Sequence, residues 1–348
     1  TLFVTTQGAY LSKDGETVCV RVEHEDKLRL PIHTIGSIVC FGQVSCSPFL
    51  LGHCAENHVA VSFMTENGRF LARVQGPVSG NVMLRREQYR RADDPVASTT
   101  MARSVLTAKI ANSRTVLLRA ARDHGDKTDS AALEDASDYL SRVLARLNGS
   151  LSLDEMRGLE GEAARTYFGA FNHCITTDKE SFFFHERSRR PPLDNMNALR
   201  SFLYTLLAHD VSAALEGVGL DPAVGYLHRD RPGRPGLALD IMEEFRPFLA
   251  DRLALSLINL CQVRDKGFRI MESGAVLMDD DTRKVVLVAY QNLLRDGGAF
   301  GGAILQSESA ASIRNIARLG SIWCFVKEIE HRRIFHLINF IVSPRRRA

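Results

Sequence analysis

The chain changes character near residue 80, and that change limits its fold more than any other feature of the sequence. Before it, apolar residues come in short runs rich in β-branched and aromatic side chains: LFVTT (2–6), TVCVRV (17–22), SIVCF (37–41) and VAVSFM (59–64). Such runs, some parted by turn residues such as Lys13-Asp14-Gly15, predict strands. One short helix is expected over 48–57 (PFLLGHCAEN). LRREQYRRADDP (84–95) is charged, ends in proline and reads as a connector. Beyond it the spacing is helical: Val105, Leu106, Ile110, Val116, Leu117 and Leu118 recur at helical intervals through about 122. Further helices are expected over 129–148, 153–174, 194–216 and 247–262. The expected class is therefore α+β, with an N-terminal β-sandwich-like domain (1–80), a linker (81–96) and a larger all-α domain.

Composition narrows the function classes. At 45% hydrophobic and 24% charged the chain reads as globular. No long uninterrupted apolar span appears, and no charged-then-apolar leader is visible, so neither a membrane helix nor secretion is expected. The seven cysteines are odd in number and include no CxxC, which disfavours a disulfide framework or a zinc site and fits a reducing cytoplasm. A net charge of +3 does not by itself require a nucleic-acid partner, because charge must be concentrated on one face to matter.

Three segments carry candidate chemistry. In RGLEGEAARTYF (157–168), Glu160, Ala164 and Tyr167 share a helix face, and small neighbours leave the Glu160 carboxylate accessible to a metal or a phosphodiester. In VGYLHRDRPGRPG (224–236) an apolar approach ends at His228, and a basic Pro/Gly loop follows. Imidazole ligates manganese-type ions, and arginines such as Arg229 and Arg234 neutralise phosphate. In LALDIMEEFRP (237–247), Asp240, Glu243 and Glu244 fall on one side of a helix, where like charges need a cation or an arginine such as Arg246 to offset them. Taken singly, each has a plainer reading: a solvated helix carboxylate, a structural histidine, a charged surface. A mixed oxygen and nitrogen donor set suits Mn2+ or Mg2+ better than structural zinc.

Together with GAYLSKDGETV (8–18), GSIVCFG (36–42), RFLARVQGPVSGNVMLRREQYR (69–90), PPLDNMNALRSFLYTLL (191–207) and VLVAYQ (286–291), these segments make the chain resemble a known family. It is similar, over about 1–291, to CRISPR-associated protein one, the integrase and endonuclease of spacer acquisition, and most to its subtype I-C branch. The resemblance implies that Glu160, His228 and Glu243 are the catalytic metal ligands, with Asp240 and Glu244 as assisting neighbours, in a helical catalytic domain over 97–291. It implies a homodimer formed through the β domain, and two such dimers flanking a dimer of a small companion adaptation protein. The implied reaction is attack by the 3′-hydroxyl of a short double-stranded DNA fragment on a phosphodiester at the edge of a repeat. Cleavage of branched DNA without joining, or a non-catalytic DNA scaffold, are the rival readings. The segment 292–348 departs from the family's ending and reads as a divergent tail.

Basic residues supply candidate DNA-backbone contacts. Arg85, Arg86, Arg90 and Arg91 surround Tyr89, and Arg187, Arg189 and Arg190 follow Phe182-Phe183-Phe184. Arg165, Arg229, Arg234 and Arg246 accompany the three candidate segments. Asn195 and Asn197 either orient DNA or cap the helix that begins near 194.

Overall fold

The computed structural model describes residues 1–76, 82–188, 191–217 and 219–295. Arg189, Arg190 and the tail from residue 296 onward lie outside the described residues.

The N-terminal part holds β1 (Leu2–Val4), β2 (Tyr10–Asp14), β3 (Thr17–Val22), β4 (Glu25–Pro31), β5 (Ser37–Phe41), β6 (Ser45–Cys46), α1 (Pro48–Glu56), β7 (Ala60–Met64) and β8 (Phe70–Val74). Two four-stranded sheets form, in the orders β1-β5-β7-β8 and β4-β3-β2-β6. In the first, β5 pairs in parallel with both β1 and β7, while β8 runs antiparallel at the edge. Strand alternation explains the layering. Ile38 and Cys40 of β5 join Leu11, Val18 and Val20 in a core between the sheets. Val39 and Phe41, on the opposite face of β5, belong with Met64 to the core shared with the helices. All five residues of β5 are buried, which is why SIVCF reads as a continuous apolar run.

The helical part comprises α2 (Val82–Asp93), α3 (Pro95–His124), α4 (Ser130–Leu147), α5 (Leu153–Ala170), α6 (Asn195–Gly217), α7 (Gly236–Phe245) and α8 (Arg252–Asn259). A β9 (Phe268–Ile270) and β10 (Val276–Met278) hairpin and α9 (Asp280–Arg295) follow. The residues read as a connector are mostly helix α2; Pro95 then sits in the first turn of α3, where a missing N–H costs nothing, and the Asp94 side chain caps it. The long α3 is the central pillar, with α4, α5 and α7 packed around it. Between α7 and α8, Arg246–Asp251 forms a wide π-helical turn containing Pro247, which has no N–H for the regular ladder.

The sheet and the helices share one core rather than meeting at a thin linker. Phe41 packs at 6.1 Å on Phe202 of α6, and Ser62 of β7 meets His209 of α6 at 2.9 Å. Tyr290 of α9 donates to Asp210 at 2.7 Å.

Candidate active site

Local sequence places each candidate side chain. Helix α5 starts at a capping box: Ser152 Oγ accepts from Glu155 N, and the Glu155 carboxylate accepts from Ser152 N at 2.7 Å. Met156, Leu159, Ala163, Tyr167 and Ala170 then form its buried stripe, which leaves Glu160 at the border of that stripe, facing α3. His228 lies in the loop before α7. Two glycines let that loop press against the helix start. A Cβ on Gly225 would lie 2.6 Å from the Gly236 carbonyl carbon and 2.8 Å from Asp240 Oδ2, and one on Gly236 would lie 2.7 Å from Ala223 O.

Asp240, fully buried on α7, organises the loop. Its Oδ2 accepts the N–H groups of Tyr226 at 2.6 Å and Leu227 at 2.9 Å, and its Oδ1 accepts that of His228 at 3.0 Å. The same Oδ1 lies 2.6 Å from His228 Nδ1. A carboxylate can only accept, so Nδ1 donates to it, and that contact fixes the ring's orientation. Nε2 lies 3.8 Å from Glu243 Oε1. From the other side, Arg157 of α5 donates to the Leu227 carbonyl at 2.9 and 2.7 Å, tying the histidine loop to the Glu160 helix.

Glu160 and Glu243 meet through Lys109 of α3. Its ammonium pairs with Glu160 Oε1 and stands 2.7 Å from Glu243 Oε2. Arg246 pairs with Glu243 Oε1 and covers the Tyr204 ring. Burial alone would push the Glu243 carboxyl up, but the adjacent Arg246 and Lys109 charges prevail and bring its pKa down to about 2. Its Oε2 is buried and, among the described residues, has no aligned hydrogen bond beside the ion pair with Lys109. Glu244 has no ion pair with this cluster among the described residues; its main chain accepts from Asn112 at 3.0 Å, and burial raises its carboxyl to about 7.

Thus Glu160, His228, Glu243, Asp240 and Arg246 come together. Lys109 and Arg157, which the sequence reading did not select, complete the cluster. Among the described residues, no three His, Cys, Asp or Glu side chains stand ready-arranged around a metal ion. The donor chemistry nevertheless fits one. Two carboxylates already share a cation, one of their oxygens is buried and among the described residues has no aligned donor, and an imidazole nitrogen lies 3.8 Å from the same carboxylate.

The remaining arginines divide. Arg85 donates to the Gly219 carbonyl, and Arg91 pairs with Glu87 at 3.0 Å. Helix α2 is pinned by the buried Gln88, which exchanges hydrogen bonds with Asp221 and also donates to the Val224 carbonyl, on the approach to His228. Arg86 and Arg90 face solvent. Arg229 is exposed and pairs with Asp154 at 2.9 Å, and Arg234 is half-buried. Arg165 is exposed and lines a recess of about 770 Å³ with Tyr139, Arg146 and Glu162. Asn195 bonds Asp265 at 2.8 Å, and Asn197 bonds Asp194 and the Glu186 carbonyl, so both secure the start of α6.

Comparison with known proteins agrees with this fold. The family model for CRISPR associated protein Cas1 matches residues 2–292. CRISPR-associated endonuclease Cas1 1 of Chlorobaculum tepidum is 56% identical over 291 residues, which is 84% of this chain and 85% of that protein. A CAS1 protein from Thermotoga maritima superposes with a TM-score of 0.77 at 22% identity, covering 99% of this chain and 97% of the other. A casposase bound to integration product does so with a TM-score of 0.71 at 24% identity, covering 84% and 82%.

Proposed function

This chain belongs to the Cas1 family of CRISPR-associated proteins, and from that premise we propose that it is a metal-dependent DNA endonuclease and integrase of spacer acquisition, in the subtype I-C branch. The observation that carries the reading is the convergence of Glu160 and Glu243, from separate helices, on one shared cation beside the His228 ring.

In this reading Glu160, His228 and Glu243 hold Mn2+ or Mg2+. When bound, such an ion polarises a phosphodiester and offsets the charge that develops on its oxygens. The protein's own part is positioning. Asp240 holds Nδ1 of His228 and so turns Nε2 toward Glu243, the side from which it would ligate. Arg157 and the Gly225–Gly236 contact keep the loop from drifting away from α5 and α7. Exposed Arg86, Arg90, Arg165 and Arg229 offer charge to a double-stranded DNA backbone, a contribution that weakens as salt rises.

The partners in this reading are a second copy of the chain and a small companion adaptation protein, in a heterohexamer of two integrase dimers and one companion dimer. The strand-rich part supports self-association: β8 is an edge strand with Phe70 and Leu71 exposed. No helix among the described residues is long and apolar enough to cross a membrane, and the proposed site of action is the cytoplasm. The test is a joining assay with a labelled DNA fragment, a plasmid target and the companion protein. Label transferred into plasmid in Mn2+ supports integration. Cleavage without transfer leaves a nuclease, and neither leaves a scaffold.

A further inference from the structure

We propose that Lys109 is a built-in counter-cation that holds the Glu160–Glu243 pair together without metal and must leave it for a divalent ion to bind. The inference rests on the metal-site reading above and adds a residue to it.

A lysine 13% exposed needs acceptors, and the described structure offers Lys109 two carboxylates from two different helices. Glu243 is 5% exposed, so without a nearby cation two carboxylates would face each other in a poorly solvated place. Arg246 offsets part of the Glu243 charge from one side, but among the described residues only Lys109 touches both carboxylates. The ammonium therefore sits where the oxygens of any shared ion would have to converge. A divalent cation and an ammonium cannot both occupy that point, because like charges at contact distance repel. Lysine suits such a role: its charge is compact, and its flexible four-carbon stem lets the head move while the backbone stays in α3. The residue thus links two properties that are normally separate, the stability of the metal-free site and its affinity for metal.

The test is calorimetric titration of the full chain with Mn2+ alone, and thermal unfolding in chelator and in Mn2+, for wild type, Lys109→Met and Lys109→Arg. Lys109→Met should bind Mn2+ at least about tenfold more tightly, a change of about 1.4 kcal/mol. It should melt earlier than wild type in chelator and gain more from Mn2+. Lys109→Arg, which keeps the charge, should stay near wild type in both. A Lys109→Met protein that melts early with and without Mn2+ and binds metal no more tightly makes Lys109 a plain structural strut and overturns the inference. A second readout uses only the wild type: acylation of Lys109 by a small amine reagent, followed by mass spectrometry, should rise as Mn2+ is added. Unchanged acylation with Mn2+ demonstrably bound also overturns it. If neither wild type nor Lys109→Met takes up Mn2+, the metal-site reading itself falls, and this inference falls with it.

Discussion

Replacing Asp240 by asparagine exchanges one oxygen for an amide nitrogen and leaves size almost unchanged. The carboxylate accepts from three main-chain N–H groups and from His228 Nδ1, all with partners between 2.6 and 3.0 Å. Asparagine has one acceptor oxygen. Whichever way it turns, its NH2 faces two donors that can no longer bond. Hydrogen bonds to a charged group contribute about 1.5–3 kcal/mol each, so losing two costs about 3–6 kcal/mol in a side chain with no solvent access. At about 2 °C per kcal/mol for a chain of this size, the melting temperature should fall by about 6–12 °C. Released from its acceptor, His228 loses its fixed orientation, and metal affinity or activity should fall by about 10- to 100-fold. Differential scanning calorimetry and a Mn2+ titration of Asp240→Asn read both effects. A melting temperature within about 1 °C of wild type together with unchanged Mn2+ affinity would refute the reasoning, because it would mean that Asp240 does not hold the loop.

Gly225→Ala tests the same loop from the backbone side: its Cβ would lie 2.6 Å from the Gly236 carbonyl carbon, so the main chain must shift, at about 1–3 kcal/mol, and Mn2+ affinity should drop with the melting temperature. An alanine variant indistinguishable from wild type in both would show that the close approach is dispensable. His209 gives a pH test of the sheet–helix junction: its Nε2 is buried and has no hydrogen-bond partner among the described residues, and burial depresses its pKa. The unfolded chain then binds the proton first, so stability should decline as pH falls below about 6.5, by at most about 1.4 kcal/mol per unit, and level off below the folded-state pKa. Denaturant titrations from pH 7.5 to 4.5 should show a shallower acid decline in His209→Asn, and equal slopes would remove His209 as the cause.

Different parts of this structure were readable from sequence for different physical reasons. Strands β3 and β5 stand out because β-branched residues crowd them, and β5 is buried on both faces. Strand β4 (EDKLRLP) escapes the pattern: it lies at a sheet edge with nearly every residue exposed, and pairing rather than burial makes it a strand. The β9–β10 hairpin is three residues a side, too short to show alternation. In the candidate site, Glu160, His228 and Glu243 rose above ordinary helix carboxylates and a lone histidine only through the family resemblance. Lys109 gave no such signal, because a lysine beside Ile110 looks like the solvated edge of an amphipathic helix until α5 and α7 bring carboxylates to it. The basic stretch of α2 reads from sequence equally as a DNA grip and as a solvated linker or salt-bridge surface. Folding shows that Gln88, within that stretch, is a buried anchor for the segment leading to His228, a contact spanning 133 positions that no local pattern reveals.

The central claim is that Glu160, His228 and Glu243 are the working parts of a metal-dependent DNA active site. Glu160→Ala tests it most directly, because Glu160 is the least buried of the two carboxylates paired to Lys109 and its loss disturbs the core least. Labelled branched DNA and labelled fragment with plasmid should be assayed in Mn2+ beside wild type, with DNA affinity and melting temperature measured on the same preparations. The account predicts that cutting and joining disappear while DNA affinity and the fold persist. Wild-type turnover by Glu160→Ala in Mn2+ would contradict it.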